Sequence, residues 1–416
     1  MRVTTLSIGD ELTHGAILDR HGGWFAGRFD ALGCDLVEHR MVGDDRDLIA
    51  ASIRELAASS DLLVVTGGLG PTADDLTREA LADALGESLV LDPEALAVLE
   101  DRFASRGRVL SESNRRQAHR PEHARSLPNA NGTAPGLEAR LGDSRIVVLP
   151  GPPHEMHPMF ESVIASGIEP SADHEATIDI NGYGLPESRA AERLGPLLER
   201  DRDPLVGIKV SWSILTASVR GTGVEAVARA IERHWHPLAY GRGATTLEEV
   251  VGGLLEQQGS TIATAESCTG GLLGGRITEV PGSSGWYGGG VVTYSNECKQ
   301  QLLGVPAELL ERHGAVSEQV AVVMAMEAAR RFGADYALST TGIAGPGGGG
   351  EHKPVGTVWI GGCDTTGDHP NAWARRFVFP GDRTWVRDRT VKSALQMLRL
   401  HILGFESPLL WEAEQS

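Results

Sequence analysis

The chain is short of cysteine, of positive charge and of long apolar runs, and each shortage excludes something. Its four cysteines, Cys34, Cys268, Cys298 and Cys363, are scattered without paired spacing. Reduced cytoplasmic thiols are therefore expected, not a disulfide framework. No stretch approaches the ~18 consecutive apolar residues of a membrane-spanning helix. The opening residues, MRVTTLSIGDELTHG, hold no apolar core long enough for a secretory signal, so a cytoplasmic location is expected. Lys plus Arg number 38 against 56 Asp plus Glu, a formal net charge of −18. Such a balance repels phosphate backbones and anionic membranes at long range, so neither is an expected partner. What the chain does have is length and glycine: 416 residues with 52 Gly. That length predicts two or three domains with cores that need no staples.

The first ~165 residues alternate between strand-like and helix-like patterns. Val3 to Ile8, Leu36 to Val42, Leu62 to Thr66 and Ile146 to Leu149 read as strands. Trp24 to Leu32, Leu48 to Ala58, Leu76 to Leu85 and Glu94 to Phe103 read as helices, with Gly86 as a C-terminal stop. This order predicts βαβ units and a mostly parallel sheet. A smaller α+β module follows, with strands at Ala176 to Ile180 and Ser211 to Arg220 and helices at Glu187 to Leu198 and Val224 to His236. Tyr240 to Gly243 reads as a hinge. A third unit begins near Thr246. Its helices are Leu247 to Gln258, Val316 to Phe332 and Trp385 to Leu403. Its strands are Thr261 to Ala265, Gly288 to Tyr294, Tyr336 to Thr340, Val355 to Gly361 and Trp373 to Phe379. The expected class is α/β and multi-domain, divided at 1–168, 169–243 and 244–416.

In the first unit the strongest motif is TGGLGPTADDLT, Thr66 to Thr77. Glycines at a strand end before a helix let backbone N–H groups approach an anion, and the helix dipole favours it. Asp74 and Asp75 at the helix start suit an oxygen-seeking divalent metal, though a capping role for Asp74 explains that residue equally well. Ile8-Gly9-Asp10-Glu11 follows the first strand in the same way, and there Asp10 also reads as a turn residue. Asn131 to Gly136 and Pro150 to Met156 are further glycine- and proline-rich loops at this sheet edge.

In order, IGDE, VGDD, TGGLGPTADDLT, NGTAPG and LPGPPHEM resemble the N-terminal domain of the CinA (competence/damage-inducible protein A) family, which is itself similar to molybdopterin-binding proteins. The resemblance implies metal-dependent pyrophosphate hydrolysis of ADP-ribose, using Mg, Mn or Co. By position it implies phosphate or substrate contacts at Gly67, Gly68, Gly70, Thr72, Asn131 and Gly132, and metal or water ligation by Asp10, Asp44, Asp75 and Glu155. The sequence departs from the family pattern at Leu12-Thr13-His14 and Asp19-Arg20-His21, where the family carries Leu-Leu and Asp-Thr-Asn. That departure bears on hydrolysis and not on the fold.

The last unit carries Glu266-Ser267-Cys268-Thr269-Gly270-Gly271, then Gly282-Ser283-Ser284, then Thr293-Tyr294-Ser295-Asn296-Glu297-Cys298-Lys299. A serine without a His–Asp relay becomes a nucleophile if a neutral lysine serves as its base. A free lysine titrates near ~10.4, so acting near neutrality requires its surroundings to favour the neutral amine by roughly 4 kcal/mol. Burial supplies this and open solvent does not. Lys299 therefore reads either as such a base, with Tyr294 orienting it, or as a solvated helix residue. Ser284 by itself reads as a turn residue. Cys268 is a rival nucleophile, or a small buried thiol.

ESCTGG, GSS, VTYSNECK, GAVSE, TGIAGPGGG, KPVGTV and GDR, in that order, resemble the nicotinamide-mononucleotide deamidase family, the C-terminal domain of CinA. The resemblance implies hydrolysis of nicotinamide mononucleotide (NMN) to nicotinic acid mononucleotide and ammonia without a cofactor. By position it makes Ser284 the nucleophile, Lys299 the base and Tyr294 its partner. Ser267, Thr269, Gly270, Thr341 and Gly342 would contact substrate, and Arg383 would bind its phosphate. The middle module resembles the KH-like insert of some CinA proteins. Gly221-Thr222-Gly223 does not supply a GxxG clamp, so it is expected to be a spacer or dimer element. The expectation is a homodimeric nucleotide enzyme of pyridine-nucleotide salvage with two activities. The alternative keeps only the deamidase and makes the first domain a non-catalytic nucleotide- or pterin-binding sensor or a dimerisation domain.

Overall fold

The computed structural model describes residues 1–168 and 177–413. The expected boundary at 168/169 abuts the segment 169–176, which lies outside the described residues, as do Ala176 and the last three residues of the expected third domain. The chain divides into two compact units, Met1–Ala176 and Thr177–Ser416.

The first unit is built on a six-stranded sheet. Its strands are β1 (Arg2–Ile8), β2 (Asp35–Val42), β3 (Leu62–Thr66), β4 (Arg125–Leu127), β5 (Gly136–Leu141) and β6 (Ser144–Leu149), in the order β2-β1-β3-β6-β5-β4. The first four in that order run parallel, and β5 and β4 add on antiparallel. Every residue of β3 is buried, because successive side chains enter opposite layers. Leu63 and Val65 pack with Leu6, Ile49 and Ile53, whereas Leu62 and Val64 pack with Phe25, Phe29 and Phe160. The helix Thr77–Leu85 ends at Gly86 in the left-handed region (φ +70°), as its sequence indicated. Several elements were not foreseen, strands β4 and β5 and the helix Pro153–Val163 among them. Strand β5 joins β6 through a two-residue turn at Gly142-Asp143, and the alternation Leu137-Glu138-Ala139-Arg140-Leu141 was the available signal for it. The helix Pro153–Val163 hides behind Pro152-Pro153, which read as a turn, although proline fits a first helical turn.

The second unit opens with a four-stranded antiparallel sheet. Its strands β7 (Ile178–Gly182), β8 (Leu205–Ser211), β9 (Ile214–Arg220) and β10 (Ala239–Arg242) take the order β8-β9-β7-β10. The hinge expected at Tyr240 to Gly243 is therefore corrected: most of it is strand β10, paired to β7. The β8–β9 hairpin closes at the pair Ser211↔Ile214 through Trp212 and Ser213, at φ +47° and +63°. Such a loop normally takes Asn-Gly, because a left-handed backbone costs other residues about 1–2 kcal/mol each.

A five-stranded sheet follows: β11 (Ile262–Glu266), β12 (Tyr287–Val292), β13 (Tyr336–Gly342), β14 (Thr357–Asp364) and β15 (Asn371–Val378), ordered β12-β11-β13-β14-β15. The first three in that order are parallel. The helix Glu318–Phe332 lays Val320, Met324, Ala325 and Ala328 on the small side chains Ala263, Ala265 and Ala337. The closing helix, Arg383–Ile402, shares a different core. It runs from Ile180, Tyr183 and Trp235 of the module to Val386, Leu395 and Leu398 of that helix. Module and last domain are thus one body. Among the described residues no helix is long and apolar enough to cross a membrane.

Candidate active site

At the carboxyl edge of the last sheet, β11 ends in Glu266. This carboxylate is buried and accepts the N–H groups of Gly271, Leu273 and Gly274 at 2.9, 3.0 and 2.8 Å. It pins the loop Ser267–Gly271 in place, and Ser267 N donates to Thr340 O at 2.9 Å. The neighbouring parallel strand β12 ends beside it, and Thr293 N donates to Glu266 O at 2.7 Å. The helix Asn296–Leu303 starts there, its cap Ser295 accepting from Cys298 N. Its fourth residue is Lys299, 1% exposed. Lys299 Nζ donates to Ser267 Oγ at 3.0 Å, Thr293 O at 2.8 Å and Tyr294 O at 3.5 Å. Burial holds this amine below its ordinary value of 10.5. Among the described residues no carboxylate pairs with it.

The expected partnership of Lys299 with Ser284 is corrected here. Ser284 is exposed in the short turn Ser283–Gly285, which precedes β12. Lys299 follows β12, so the strand separates them by roughly 20 Å at ~3.3 Å per residue. Parallel pairing instead sets the ends of β11 and β12 side by side, and that brings Ser267 to Lys299. Tyr294 touches Lys299 through its backbone carbonyl only. Its phenol is exposed and accepts from Arg383 Nη2 at 2.8 Å, while Arg383 Nη1 donates to Gly345 O at 3.1 Å. Thr269 Oγ1 lies 2.7 Å from Thr340 Oγ1, and Thr341 Oγ1 donates to Ala315 O at 2.7 Å. Gly270 turns the loop at φ +61°, and Gly342 ends β13. Cys268 is buried, and burial pushes its thiol up to about 12, so it is no thiolate near neutrality. One neighbour was missed: Arg387 donates through Nε and Nη2 to Thr269 O, at 3.2 and 2.6 Å. Its spacing of four from Arg383, on one helix face, was the available signal.

The first unit presents a second edge site, a cavity of about 720 Å³ lined by the loop Gly67–Thr72 and by Asp19, His21, Asp44, Asp75 and Glu155. A Cβ at Gly67 (φ +99°) would collide with Ile8 O and one at Gly68 (φ +63°) with Thr77 Oγ1, so neither place has room for one. The buried Arg78 guanidinium holds the loop from beneath, donating to Leu69 O at 2.6 Å and Gly70 O at 2.8 Å. The expected phosphate cradle is largely occupied by the protein itself. Gly67 N donates to Leu149 O, and Gly70 N and Thr72 N both donate to Asp75 at 2.8 Å. Thr72 Oγ1 also bonds Asp75.

The expected metal ligands gather only as one pair, Asp10 with Asp44. Asp10 and Asp44 each accept the other's backbone N–H, at 3.1 and 2.9 Å. Burial, aided by the charges of Asp10, Glu11 and Asp74, pushes the Asp44 carboxyl above the usual range. Asp75 is turned into its own loop, and Glu155 accepts from Asn129 Nδ2 at 2.7 Å. Asn131 donates to His154 O, and Gly132 O accepts from Arg102. Among the described residues no group of three or more His, Cys, Asp or Glu could hold a metal ion. The donor set thus does not fit the expected metal. The cavity wall instead carries Asp19 and His21, from the triplet that departs from the family pattern, with His39 bound to Asp19. His21 Nδ1 lies 3.0 Å from Thr66 Oγ1, and Asp19 lies 2.7 Å from His39 Nε2. Burial holds His21 below its ordinary value, so its imidazole is neutral near pH 7. Burial pushes Asp19 up, but hydrogen bonds from His39, the His21 N–H and Ser7 outweigh it and hold the carboxyl low.

Residues 244–402 match the family described as CinA C-terminal domain, and residues 4–170 the family described as probable molybdopterin binding domain. A putative competence-damage inducible protein of Symbiobacterium thermophilum is 43% identical over 419 residues, covering 96% of this chain and 98% of its own length. A CinA-like protein of Geobacter sulfurreducens is 41% identical over 416 residues, covering 97% and 100%. The crystal structure of competence/damage inducible protein CihA from Agrobacterium tumefaciens is 41% identical, covering 38% of this chain and 93% of its own, with a TM-score of 0.36.

Proposed function

The chain belongs to the CinA family, and from that premise we propose that its last domain hydrolyses the carboxamide of NMN to nicotinic acid mononucleotide and ammonia, with Ser267 as nucleophile and Lys299 as base. One observation carries this reading: a buried amine, without a carboxylate partner among the described residues, stands 3.0 Å from Ser267 Oγ. Neutral Lys299 takes the Ser267 proton as Oγ attacks the carboxamide carbon. The same proton passes to the departing ammonia, leaving a nicotinoyl ester on Ser267. Water then attacks the ester, giving Lys299 a proton that returns to Ser267 Oγ as the acid leaves. The N–H of Cys268, next after the nucleophile, is the assigned oxyanion donor. Arg383, steadied by the Tyr294 phenol, is assigned to the phosphate. The test is ammonia release from NMN. Ser267→Ala should lose about 10³-fold or more in kcat, while Ser284→Ala keeps most of it. A near-normal Ser267→Ala enzyme, or a dead Ser284→Ala enzyme, overturns the assignment.

For the first domain we propose nucleotide or pterin binding without hydrolysis. The supporting observation is that Asp75 is spent on Gly70 and Thr72 and that no three carboxylates converge among the described residues. Incubation with ADP-ribose and Mg²⁺, Mn²⁺ or Co²⁺ should release no AMP. Metal-dependent AMP release that Asp75→Asn removes sinks this reading.

A further inference from the structure

The middle module grips the closing helix along its length. Tyr183 Oη lies 3.0 Å from Ser393 Oγ, and Gln396 Nε2 donates to the carbonyls of Tyr183 and Leu238 at 3.1 and 3.2 Å. Near the start of that helix the contact is made by the tip of the β8–β9 hairpin. The Trp212 ring stacks on Trp385, centroids 4.6 Å apart and planes 25° apart. Lys392 Nζ donates to Trp212 O at 2.6 Å, and Arg389 Nε to Ser213 Oγ at 2.9 Å. The Arg389 guanidinium also covers Trp385, 4.8 Å from the ring centre.

Two features of the tip stand out. Trp212 and Ser213 sit in a left-handed turn that neither residue favours, so they are present for what they touch. What they touch is the stretch of helix that serves the amidase site. Trp385 lies between Arg383, which donates to the Tyr294 phenol, and Arg387, which donates to Thr269 O two residues beyond Ser267.

We propose that the hairpin tip Trp212–Ser213 is a positioning device for the amidase site. It fixes the first turns of the closing helix and so sets Arg383 at the phosphate end of the substrate and Arg387 under the nucleophile loop. The inference rests on the amidase reading and extends it to a module that touches no reacting atom. Trp212 and Ser213 are positioning residues.

The test compares the full chain with the double variant Trp212→Asn, Ser213→Gly. That pair is what the turn prefers, so the hairpin still forms. The KM for NMN should rise about tenfold with kcat within about threefold. Amide hydrogen exchange should quicken about tenfold over residues 267–275 and 383–390 and stay unchanged over 205–211 and 214–220. Trp385→Leu, which leaves the hairpin sequence intact, should produce the same two changes. If neither variant raises KM, or if exchange at 267–275 is unaltered in both, the proposal is overturned. If the unaltered chain releases no ammonia from NMN, the amidase reading falls, and the exchange result alone decides the coupling. Quickened exchange then upholds it and unaltered exchange removes it.

Discussion

Lys299 has lost its water without gaining a counter-charge among the described residues: its Nζ meets a hydroxyl and two carbonyls. Desolvation disfavours its charged form, so the folded protein binds that proton less readily than the unfolded chain. Where the unfolded state binds more protons, stability rises with pH, here from the folded value up to the ordinary 10.5. Lys299→Met should therefore abolish ammonia release and yet raise the melting temperature at pH 7. That advantage should shrink as the pH climbs toward 10.5, which calorimetry at pH 7 and pH 10 measures. In the parent enzyme kcat should grow with pH as the neutral amine appears; a kcat that is flat or falls from pH 6 to pH 9 contradicts a lysine base. Read as a sequence, residue 299 offered both this role and that of a solvated helix residue. Burial decides between them, and burial is not a local property.

Elements were legible wherever local rules govern them. Leu62 to Thr66 was read to the residue, as was Leu247 to Gln258, and Gly86 ends its helix in the left-handed region that glycine favours. Thr246 completes a capping box with Glu249, so Thr246→Ala should cost about 1 kcal/mol, seen as a lower denaturation midpoint at unchanged slope. Gly68→Ala should cost more than that, since it adds a left-handed backbone penalty to a clash with Thr77 Oγ1. Loss of ligand affinity in the first domain would accompany it. Elements failed to show where pairing, not propensity, makes them. Strand β10 contains a glycine and an arginine and reads as a hinge, yet β7 offers it a partner. Ser284 and Ser267 look equivalent as loop serines. Parallel register alone puts one of them at the lysine and the other at the far end of β12.

At the scale of the molecule, the module and the last domain share a core. Ile231 of the module is fully buried in it, and Ile231→Ala should cost about 2–5 kcal/mol. The heat loss of ammonia release should move down together with the circular-dichroism transition of the full chain. An unmoved inactivation temperature would show that the two parts melt separately. Three features of this protein were decided by its sequence alone: an α/β class with alternating elements, glycine loops at strand ends, and membership of a family carried by ordered motifs. These follow from periodicity, from steric rules of single residues and from motif order, all of which are written along the chain. Which serine meets the lysine, whether the carboxylates of the first domain assemble, and that the small module braces the closing helix were decided only by tertiary structure. Strand register, burial and the direction of side chains set those distances, and each depends on residues far apart in sequence.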